Sequence, residues 1–584
     1  MSPKTCLRGA WIALLALLPL APAASAAPAQ SGPVKLVVIV SVDGLSWTRL
    51  TGYRDWYEAG LKRLLTESQL QVNTNYGHLN TETCPGHASL GTGAPPRVHG
   101  ITANQWFEMK PDGSGLRRLY CTNQPGPSGT IAGPANLRIP TFADRFVEAS
   151  PDSRVVAFSG KDRGAIFLAG KNPKHVVYWY DKQTGGYVSS AAYDSETGVG
   201  AAARDMVRRF NQQWTGAYFR GRNGTVWSPL PMPANAASLP QPEPNIGRFQ
   251  TPDIGIGFDH DLALHPGGYF NAVYNSPFQD QLLADLALTA LADPDLALGR
   301  RGVPDVLALS FSAHDVISHN YGNESAETLD VLRRLDRELG RILLSLDALA
   351  AAEPRGQVVL ALSADHGFTP LPEVTRRKSG KRVGGRLMVP DSGAESPYPN
   401  MQERLNRAIV EELCLPPDVQ AIFGIEGWTV AYDRKAFPRK RIAGPCGKPG
   451  KNVTPADLDR VFPKLVQRLY GEEVEKVLLI SQRAQWPAGD KAADFARNDF
   501  DAPRSGDAFL IPKNNVLMHW DPVRGSGHGS HHEYDTHVPL LFWGGPFQPG
   551  ENADPAAPYD LAPTLADLLG VKLPDATGTS RLRR

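Results

Sequence analysis

Three things are scarce in this chain: long apolar runs, cysteine, and an excess of charge of either sign. Lys and Arg together number 61 and Asp and Glu 60, so the sequence lacks the basic excess that is typical of nucleic-acid-binding domains. Beyond Leu20, no apolar run approaches the roughly 20 residues that a membrane helix needs. We therefore expect no nucleic-acid-specific binding and no membrane span.

The N-terminus has the pattern of an export signal. Lys4 and Arg8 precede an apolar stretch from Ala10 to Leu20, and a run of small residues from Ala24 to Ala27 follows. This order is typical of a cleaved signal peptide, which we predict over residues 1–26. The mature protein is then expected in the periplasm or secreted.

The cysteines fit an exported protein. Of the five, Cys6 would leave with the signal peptide, and an even four would remain in an oxidising compartment. Four cysteines allow three pairings. We favour Cys84 with Cys121 and Cys414 with Cys446 because the members of each pair are close in sequence.

Short apolar runs rich in β-branched residues alternate with helical patterns along the chain. The predicted strands are Val34–Val40, Arg154–Phe158, Val306–Leu309, Val358–Leu362 and Val538–Trp543, and the predicted helices are Gln279–Leu291, Ala326–Leu349 and Ala562–Leu569. This alternation predicts an α/β fold with a mainly parallel central sheet flanked by helices. Two stretches interrupt it, 211–256 and 369–522, and we predict that they are cap insertions in a single domain over residues 27–584.

Asp and His residues follow the ends of several predicted strands. Asp43 follows the first strand, Asp315 and His319 stand just past the third, and Asp365 and His366 follow the fourth. Open α/β sheets build their active sites from residues at the carboxyl ends of several strands. Asp and His ligands without Cys suit Zn²⁺ holding a phosphoryl oxygen. The sequence therefore predicts a metal site in a hydrolytic enzyme.

The order of short motifs along the chain resembles one family. The motifs are the segment Asn80 to His87 with Thr83 two residues before Pro85, D-x-x-x-H at Asp315, D-H-G at Asp365, and Gly527-His528-Gly529. Together with Asp43 they resemble the alkaline phosphatase superfamily, in the branch that includes nucleotide pyrophosphatase/phosphodiesterases. Gly100 to Trp106 and Lys161-Asp162-Arg163 narrow the resemblance to the phosphate-irrepressible alkaline phosphatases with a Thr nucleophile. It extends from about Lys35 to Leu569, and Cys84-Pro85-Gly86 departs from that group.

The resemblance implies a di-zinc alkaline phosphatase in which Thr83 is the nucleophile. It implies two Zn²⁺ ions per chain, one held by Asp43, Asp365, His366 and the Thr83 oxygen, the other by Asp315, His319 and His528. It also implies that Asn104, Lys161 and Arg163 bind the transferred phosphoryl group. A Lys charge with an Arg fork favours a monoester dianion over a diester monoanion, so small phosphate monoesters are the expected substrates.

Alternatives stay open at this stage. A phosphodiesterase or nucleotide pyrophosphatase would use the same metals, and a non-catalytic exported zinc- or phosphate-binding protein would need the ligands without the nucleophile. Taken alone, Thr83 also fits a helix N-cap, Asp315 with His319 a surface helical pair, and Asp365-His366-Gly367 a plain turn. Asp/His sites accept Mn²⁺ or Fe as well as Zn²⁺. The natural phosphoester, the pH optimum, further Ca²⁺ sites and the oligomeric state stay open too.

Several His residues near the C-terminus compete for one ligand position. We choose His528 because its Gly-His-Gly context matches the family motif. His537 is predicted to be a structural residue or to support a metal ligand without binding the metal, and His531 and His532 are expected to face solvent. His87, in the earlier motif, is predicted to pack or to form hydrogen bonds.

Overall fold

A nine-stranded mixed sheet forms the centre of the computed structural model. The structure describes residues 32–583 except 215–220, 222–224, 244–245, 252, 353–355, 382, 390–398, 445, 447–448 and 520, so the predicted signal peptide lies outside the described residues. From edge to edge the strands are Gly550–Asn552, Ser68–Gln71, Leu540–Gly544, Gln357–Ser363, Val34–Val42, Asp305–Phe311, Val155–Ser159, Val176–Tyr180 and Tyr187–Val188. Most neighbouring pairs are parallel, which confirms the predicted fold class.

The strand Val34–Val42 occupies the middle of this sheet and is buried along almost its whole length. Val38 and Val40 belong to one apolar core, and Val37 and Ile39 to another. Successive side chains of a strand point to opposite faces, and a sheet covered by helices on both faces therefore needs a continuous apolar run rather than an alternating one. That requirement explains why this strand can be predicted from the sequence.

Helices cover both faces of the sheet. Over the described residues they are Trp47–Gly52, Gly60–Glu67, Thr83–Thr92, Pro96–His99, Phe142–Ala149, Asp162–Ala169, Gly198–Trp214, Tyr269–Tyr274, Phe278–Ala292, Ala313–Tyr321, Ala326–Ala351, Pro372–Ser379, Met401–Leu413, Pro455–Tyr470, Lys491–Asp499, Glu533–Thr536 and Leu561–Leu569. The three predicted helices are confirmed within two residues at each end. Within the described part of the chain, no helix is both long and apolar enough to cross a membrane.

A second sheet lies within the predicted 369–522 insertion. Its four antiparallel strands are, in order, Ile422–Glu426, Thr429–Tyr432, Ala508–Pro512 and Val474–Leu479. Together with the helices Met401–Leu413 and Pro455–Tyr470 they enclose an apolar core of their own. The remaining strands form two-stranded sheets: Gln105–Met109 with Leu116–Tyr120, Asn123–Gly126 with Gly129–Ala132, Val226–Trp227 with His260–Asp261, Gly385–Met388 with Val516–His519, and Arg439–Lys440 with Asn452–Val453.

Both predicted disulfides are present. Cys84 is bonded to Cys121 across 37 residues of sequence, and Cys414 to Cys446 across 32. The first joins the start of the helix Thr83–Thr92 to the residue after the strand Leu116–Tyr120. The second joins the end of the helix Met401–Leu413 to a loop.

Candidate active site

Three adjacent strands of the central sheet end at one edge and bring the predicted ligands together. The residue pairs Val42 with Phe311 and Ser41 with Ser363 lie side by side in the sheet, so the chain leaves all three strands at the same level. Asp43 follows the middle strand directly. Asp365 follows one neighbouring strand, and Asp315 lies in the first turn of a helix after the other.

Six of the predicted ligands form two triads that could each hold a metal ion. One consists of Asp43, Asp365 and His366, and the other of Asp315, His319 and His528; within each triad the candidate ligand atoms lie within 4.8 Å of one another. All members of the first triad are buried, while the two His residues of the second are half-buried. The structure thus assembles residues that are widely separated in sequence.

Hydrogen bonds hold the imidazoles with one nitrogen turned towards the carboxylates. Nδ1 of His319 lies 2.8 Å from the Ser526 carbonyl, and Nδ1 of His528 lies 2.9 Å from the Thr81 carbonyl. In His366, Nδ1 lies 2.8 Å from the Gly367 carbonyl. A carbonyl oxygen only accepts, so each Nδ1 carries the proton and each Nε2 is a lone-pair donor. This is the tautomer that a metal ligand requires.

Those Nε2 atoms face carboxylate oxygens at distances that suit a shared cation. His366 Nε2 lies 3.4 Å from Asp43 Oδ1, and the Nε2 atoms of His319 and His528 lie 3.3 and 3.4 Å from Asp315 Oδ1. Asp43 Oδ1, Asp315 Oδ1 and His366 Nε2 have no hydrogen-bond partner in the part of the chain that the structure describes, although they are buried. Lone pairs that face one another without a proton repel, and a divalent cation between them removes this repulsion. The donor set therefore fits a metal in each triad.

The electrostatics of the first triad lead to a prediction about metal binding. Burial lowers the pKa of His366, but the carboxylates of Asp365 and Asp43 outweigh burial and raise it to about 9. Below that pH the metal-free imidazole carries a second proton, on Nε2 as well as on Nδ1, and a cation must displace it. We expect the apparent affinity for a divalent cation to rise with pH up to about 9 and then to level off, as measured by competition with a chromophoric chelator. A pH-independent affinity over this range would contradict the assignment of His366 as a ligand.

Thr83 is the first residue of the helix Thr83–Thr92, and Glu82 occupies the N-cap position. The alternative of Thr83 as a plain N-cap is therefore wrong. The helix start approaches the first triad closely, because a Cβ on Gly86 would lie 2.1 Å from the Asp365 carbonyl oxygen. His87, one turn along the helix, forms hydrogen bonds through Nδ1 with the Thr83 carbonyl at 3.0 Å and through Nε2 with the Ser310 hydroxyl at 2.9 Å, which confirms a hydrogen-bonding role. Its Nδ1 also lies 3.1 Å from Asp365 Oδ2. The helix N-terminus adds partial positive charge beside the Thr83 hydroxyl.

Lys161 lies between the two triads. Its Nζ is 2.6 Å from Asp43 Oδ2 and 2.5 Å from Asp315 Oδ2, and the side chain is buried. Burial opposes the charge, but the two carboxylates outweigh it and raise the pKa of the Lys161 ammonium. Lys161 is also the N-cap of the helix Asp162–Ala169.

Arg163 and Asn104 flank Thr83. Arg163 Nη2 lies 3.5 Å from Thr83 Oγ1, and Arg163 Nη1 donates to the Tyr120 hydroxyl at 2.9 Å. The side-chain oxygen of Asn104 accepts from the Cys84 amide at 2.9 Å, and its own backbone amide donates to Glu82 at 2.6 Å. All three predicted phosphoryl-binding residues are thus gathered around Thr83 and the triads, together with two residues that the sequence analysis missed, Tyr120 and Glu82.

The remaining His residues of the C-terminal stretch lie away from the triads' ligand positions. His531 is buried and packs against the rings of Phe495 and His532, so the expectation that it faces solvent is wrong. His532 Nε2 lies 3.0 Å from the Pro512 carbonyl. His537 Nε2 lies 2.9 Å from the Val72 carbonyl, a backbone contact that fits the predicted structural role.

An open cavity of about 750 Å³ lies in front of the second triad. Its wall includes His319 and His528 of that triad, together with Asn104, Glu82, Asn320 and Arg524. Most of these side chains are polar. A cavity of this size accommodates a small organic molecule beside the candidate metals.

Comparison with known proteins places the chain in a family. A family model described as type I phosphodiesterase / nucleotide pyrophosphatase matches residues 37–379. The chain belongs to this family. The match ends before the second sheet begins at Ile422, so that sheet lies outside the region matched by the family model.

Relatives that match almost the whole chain have names more specific than the description of the family model. Alkaline phosphatase PhoK of a Sphingomonas species is 30% identical over 563 residues, which cover 93% of this chain and 89% of that protein. Alkaline phosphatase PafA of Elizabethkingia meningoseptica is 28% identical over 558 residues, which cover 92% of each chain. A crystal structure of PafA matches 94% of this chain and 99% of its own, with 25% identity and a TM-score of 0.78. The predicted resemblance to the alkaline phosphatase superfamily is confirmed.

Proposed function

We propose that this protein is an alkaline phosphatase that hydrolyses small phosphate monoesters through a phosphothreonine at Thr83. The observation that carries this proposal is the position of the Thr83 hydroxyl. It lies at a helix N-terminus within 3.5 Å of a guanidinium nitrogen, and its helix is packed against Asp365 of the first triad. Relatives named alkaline phosphatases support the proposal across nearly the full length of the chain.

We assign two Zn²⁺ ions to the triads, with the Thr83 oxygen as a further ligand of the first. Asp43, Asp365 and His366 would hold one ion, and Asp315, His319 and His528 the other. When bound, the ions supply positive charge that lowers the pKa of a neighbouring hydroxyl and stabilises charge on phosphoryl oxygens. The absence of Cys from both donor sets is compatible with Zn²⁺ and does not exclude Mn²⁺ or Fe.

The chain's own residues account for the rest of the reaction. Thr83 Oγ1 loses its proton to solvent and attacks phosphorus, the bond from phosphorus to the alcohol oxygen breaks, the departing alkoxide takes up a proton from water, and a phosphothreonine forms. Water then attacks the same phosphorus atom, releases inorganic phosphate and restores the Thr83 hydroxyl. Phosphoryl transfer depends mainly on positioning and on charge around the nonbridging oxygens, which we assign to Arg163, Lys161 and the side-chain amide of Asn104.

The cationic side chains of Lys161 and Arg163 also favour phosphatase activity over phosphodiesterase activity, which is the second candidate function. A monoester carries about two negative charges at alkaline pH, whereas a diester carries one. Both Lys161 and Arg163 are at least four-fifths buried, so their charges are weakly screened by solvent. The pair therefore stabilises a dianion more than a monoanion.

Neutralising this pair is expected to change the selectivity. In Lys161→Ala/Arg163→Ala, kcat/KM for an aryl phosphate should fall more than kcat/KM for the methyl diester of the same phenol. A hydrogen bond to a charged group contributes about 1.5 to 3 kcal/mol, so loss of each residue should lower kcat/KM for the monoester by roughly tenfold to a hundredfold. The effects of the two neighbouring residues should be strongly coupled. Paired kinetics on the two substrates measure the ratio.

The control is Lys476→Ala/Arg497→Ala, which removes the same two charges from partly exposed ion pairs with Asp490 and Asp494. This variant should keep the wild-type ratio. If the ratio of monoester to diester hydrolysis were also unchanged in the Lys161/Arg163 variant, these residues would not recognise the phosphoryl dianion. The preference for a phosphatase would then lose its main support.

We also propose that the protein is exported to the periplasm or secreted, after cleavage of a signal peptide over residues 1–26. The two disulfides support this location, because such bonds form and persist in oxidising compartments. Both pairs lie in the proposed mature chain. Sequencing the N-terminus of the protein from the periplasmic fraction tests the cleavage site directly.

A further inference from the structure

We propose that Tyr120 is a positioning residue that aims Arg163 at the phosphoryl group, and that the Cys84–Cys121 disulfide holds Tyr120 in place. This inference rests on the proposed function, in which Arg163 binds the transferred phosphoryl group. Neither Tyr120 nor the disulfide contacts that group in this scheme. Their contribution would be to fix the geometry of the residues that do.

Arg163 has few partners that define the direction of its guanidinium. Its Nη1 donates to the Tyr120 hydroxyl at 2.9 Å, while Nη2 lies 3.5 Å from Thr83 Oγ1. The nearest carboxylate oxygen, on Asp162, lies 3.8 Å from Nη1, and the buried Nε has no hydrogen-bond partner among the described residues. Tyr120 therefore makes the shortest hydrogen bond to this side chain in the described structure.

The Tyr120 hydroxyl is itself oriented by a second hydrogen bond. It donates to Asp162 Oδ1 at 3.0 Å, and Thr122 Oγ1 donates to the other oxygen of the same carboxylate at 2.7 Å. A phenol has one proton, so donation to Asp162 leaves a lone pair of the oxygen for Arg163. Asp162 is the neighbour of Arg163 in sequence, and the contacts form a closed network.

The disulfide connects this network to the nucleophile. Cys84 follows Thr83 in sequence, Cys121 lies between Tyr120 and Thr122, and both cysteines are fully buried. The Cys84 amide donates to the Asn104 side chain at 2.9 Å, and the Cys121 amide donates to the Asn104 carbonyl at 3.0 Å. One covalent cross-link thus ties together the segments that carry Thr83, Asn104 and Tyr120.

The candidate metal ligands other than Thr83 lie outside this cross-linked unit. Asp43, Asp365 and Asp315 are placed by the central sheet and the helix that follows one of its strands, and the disulfide joins none of these segments. Loosening the unit should therefore weaken the contacts to the phosphoryl oxygens while the metal content stays the same. That combination separates a positioning role from a general loss of structure.

Tyr120→Phe removes the hydroxyl and keeps the ring. We expect about a tenfold fall in kcat/KM for an aryl phosphate, the low end of the range for a hydrogen bond to a charged group. The fall for the methyl diester should be smaller, and the zinc content unchanged. In an Arg163→Ala background the same substitution should have little further effect, because the residue on which Tyr120 acts is missing.

The matched control is Tyr193→Phe. Tyr193 is buried, and its hydroxyl donates to the Gly170 carbonyl at 3.0 Å, with none of the proposed catalytic residues as a partner. It should therefore lose a comparable hydrogen bond and keep the wild-type ratio of monoester to diester hydrolysis.

The two disulfides provide a second matched pair. Cys84→Ala/Cys121→Ala and Cys414→Ala/Cys446→Ala remove cross-links that span 37 and 32 residues, so the stabilisation lost through chain entropy is similar. We expect the first variant to lower the ratio of monoester to diester hydrolysis by about the same factor as Tyr120→Phe. The second should leave it unchanged. If the first variant fails to fold, Tyr120→Phe and its double variant with Arg163→Ala decide the question.

Two results would overturn the inference, and they can be told apart. If Arg163→Ala damages monoester hydrolysis but Tyr120→Phe behaves like Tyr193→Phe, the positioning role is wrong and the proposed function stands. If Arg163→Ala leaves monoester hydrolysis at the wild-type rate, the positioning role is wrong because its premise fails, and the proposed role of Arg163 fails with it.

Discussion

Thr83→Ala is expected to lower kcat for an aryl phosphate by roughly 10⁴- to 10⁶-fold, the range seen when members of a nucleophilic triad are removed from a protease. The substitution deletes the oxygen that we propose as the nucleophile and leaves the helix start in place. Among the described residues Thr83 Oγ1 has one hydrogen-bond contact, a long one at 3.5 Å from Arg163, so the fold should lose little stability. Thr83→Ser should keep part of the activity, because the hydroxyl survives although the methyl group that restricts its rotamer does not.

The control for this variant lies in the same helix. Thr92 is buried in the last turn of Thr83–Thr92, and its hydroxyl donates to the Ala88 carbonyl at 2.7 Å. Thr92→Ala should reduce stability modestly and leave kcat close to the wild-type value. A wild-type rate in Thr83→Ala would remove the nucleophile from the scheme. If the wild-type protein binds Zn²⁺ and phosphate but hydrolyses neither ester class, it would instead be the non-catalytic binding protein considered from the sequence.

Removal of the metals is expected to abolish activity, and added Zn²⁺ to restore it. The proposed ligands are carboxylates and imidazoles, which release their ions to a strong chelator in excess. A single-residue version of this test is Asp365→Asn. The Asn side chain keeps an acceptor for the amides of Gly44 and His366, which donate to Asp365 at 3.0 and 3.1 Å, but it loses the negative charge. Replacing a residue that hydrogen-bonds to a metal ligand typically lowers metal affinity or activity tenfold to a hundredfold. Loss of a ligand itself should therefore lower kcat/KM by more than about a hundredfold.

Asp507→Asn is the matched control for that variant. Asp507 lies beside the second sheet, where it accepts from the Tyr432 amide at 2.8 Å and pairs with Arg434. Its substitution should leave zinc content and kcat/KM unchanged. Full activity after prolonged chelation, with metal loss verified by elemental analysis, would contradict the two-metal site.

The parts of the fold that the sequence predicts are those with a strong local signal. The strands around Val34 and Val358 are continuous apolar runs because both faces of the sheet are covered, and the helix Ala326–Ala351 repeats its leucines with a helical period. The last central strand starts at Leu540 rather than at the predicted Val538. The sequence does not reveal this boundary, because Val538 is as deeply buried as the residues of the strand although it lies outside the strand.

The triads were predictable because each ligand follows a strand end or lies in a family motif. The contacts around them were not. Lys161 has no local signal that places it between Asp43 and Asp315, since those two residues are distant from it in sequence. Tyr120 is the last residue of a hairpin strand that also contains two arginines. A partly exposed aromatic residue in such a strand does not by itself indicate a functional role, and only the fold shows its contact with Arg163.

The most direct test of the proposed function is to trap the covalent intermediate. The enzyme is mixed with an isotopically labelled phosphate monoester, quenched in acid within one turnover, digested, and mapped by mass spectrometry. We expect one phosphate per trapped chain. In the wild-type protein it should be on Thr83, in Thr83→Ser it should be at position 83, and in Thr83→Ala it should be absent. Phosphate on another residue, or full turnover by direct transfer to water with no phosphoenzyme and inverted configuration at phosphorus, would contradict it.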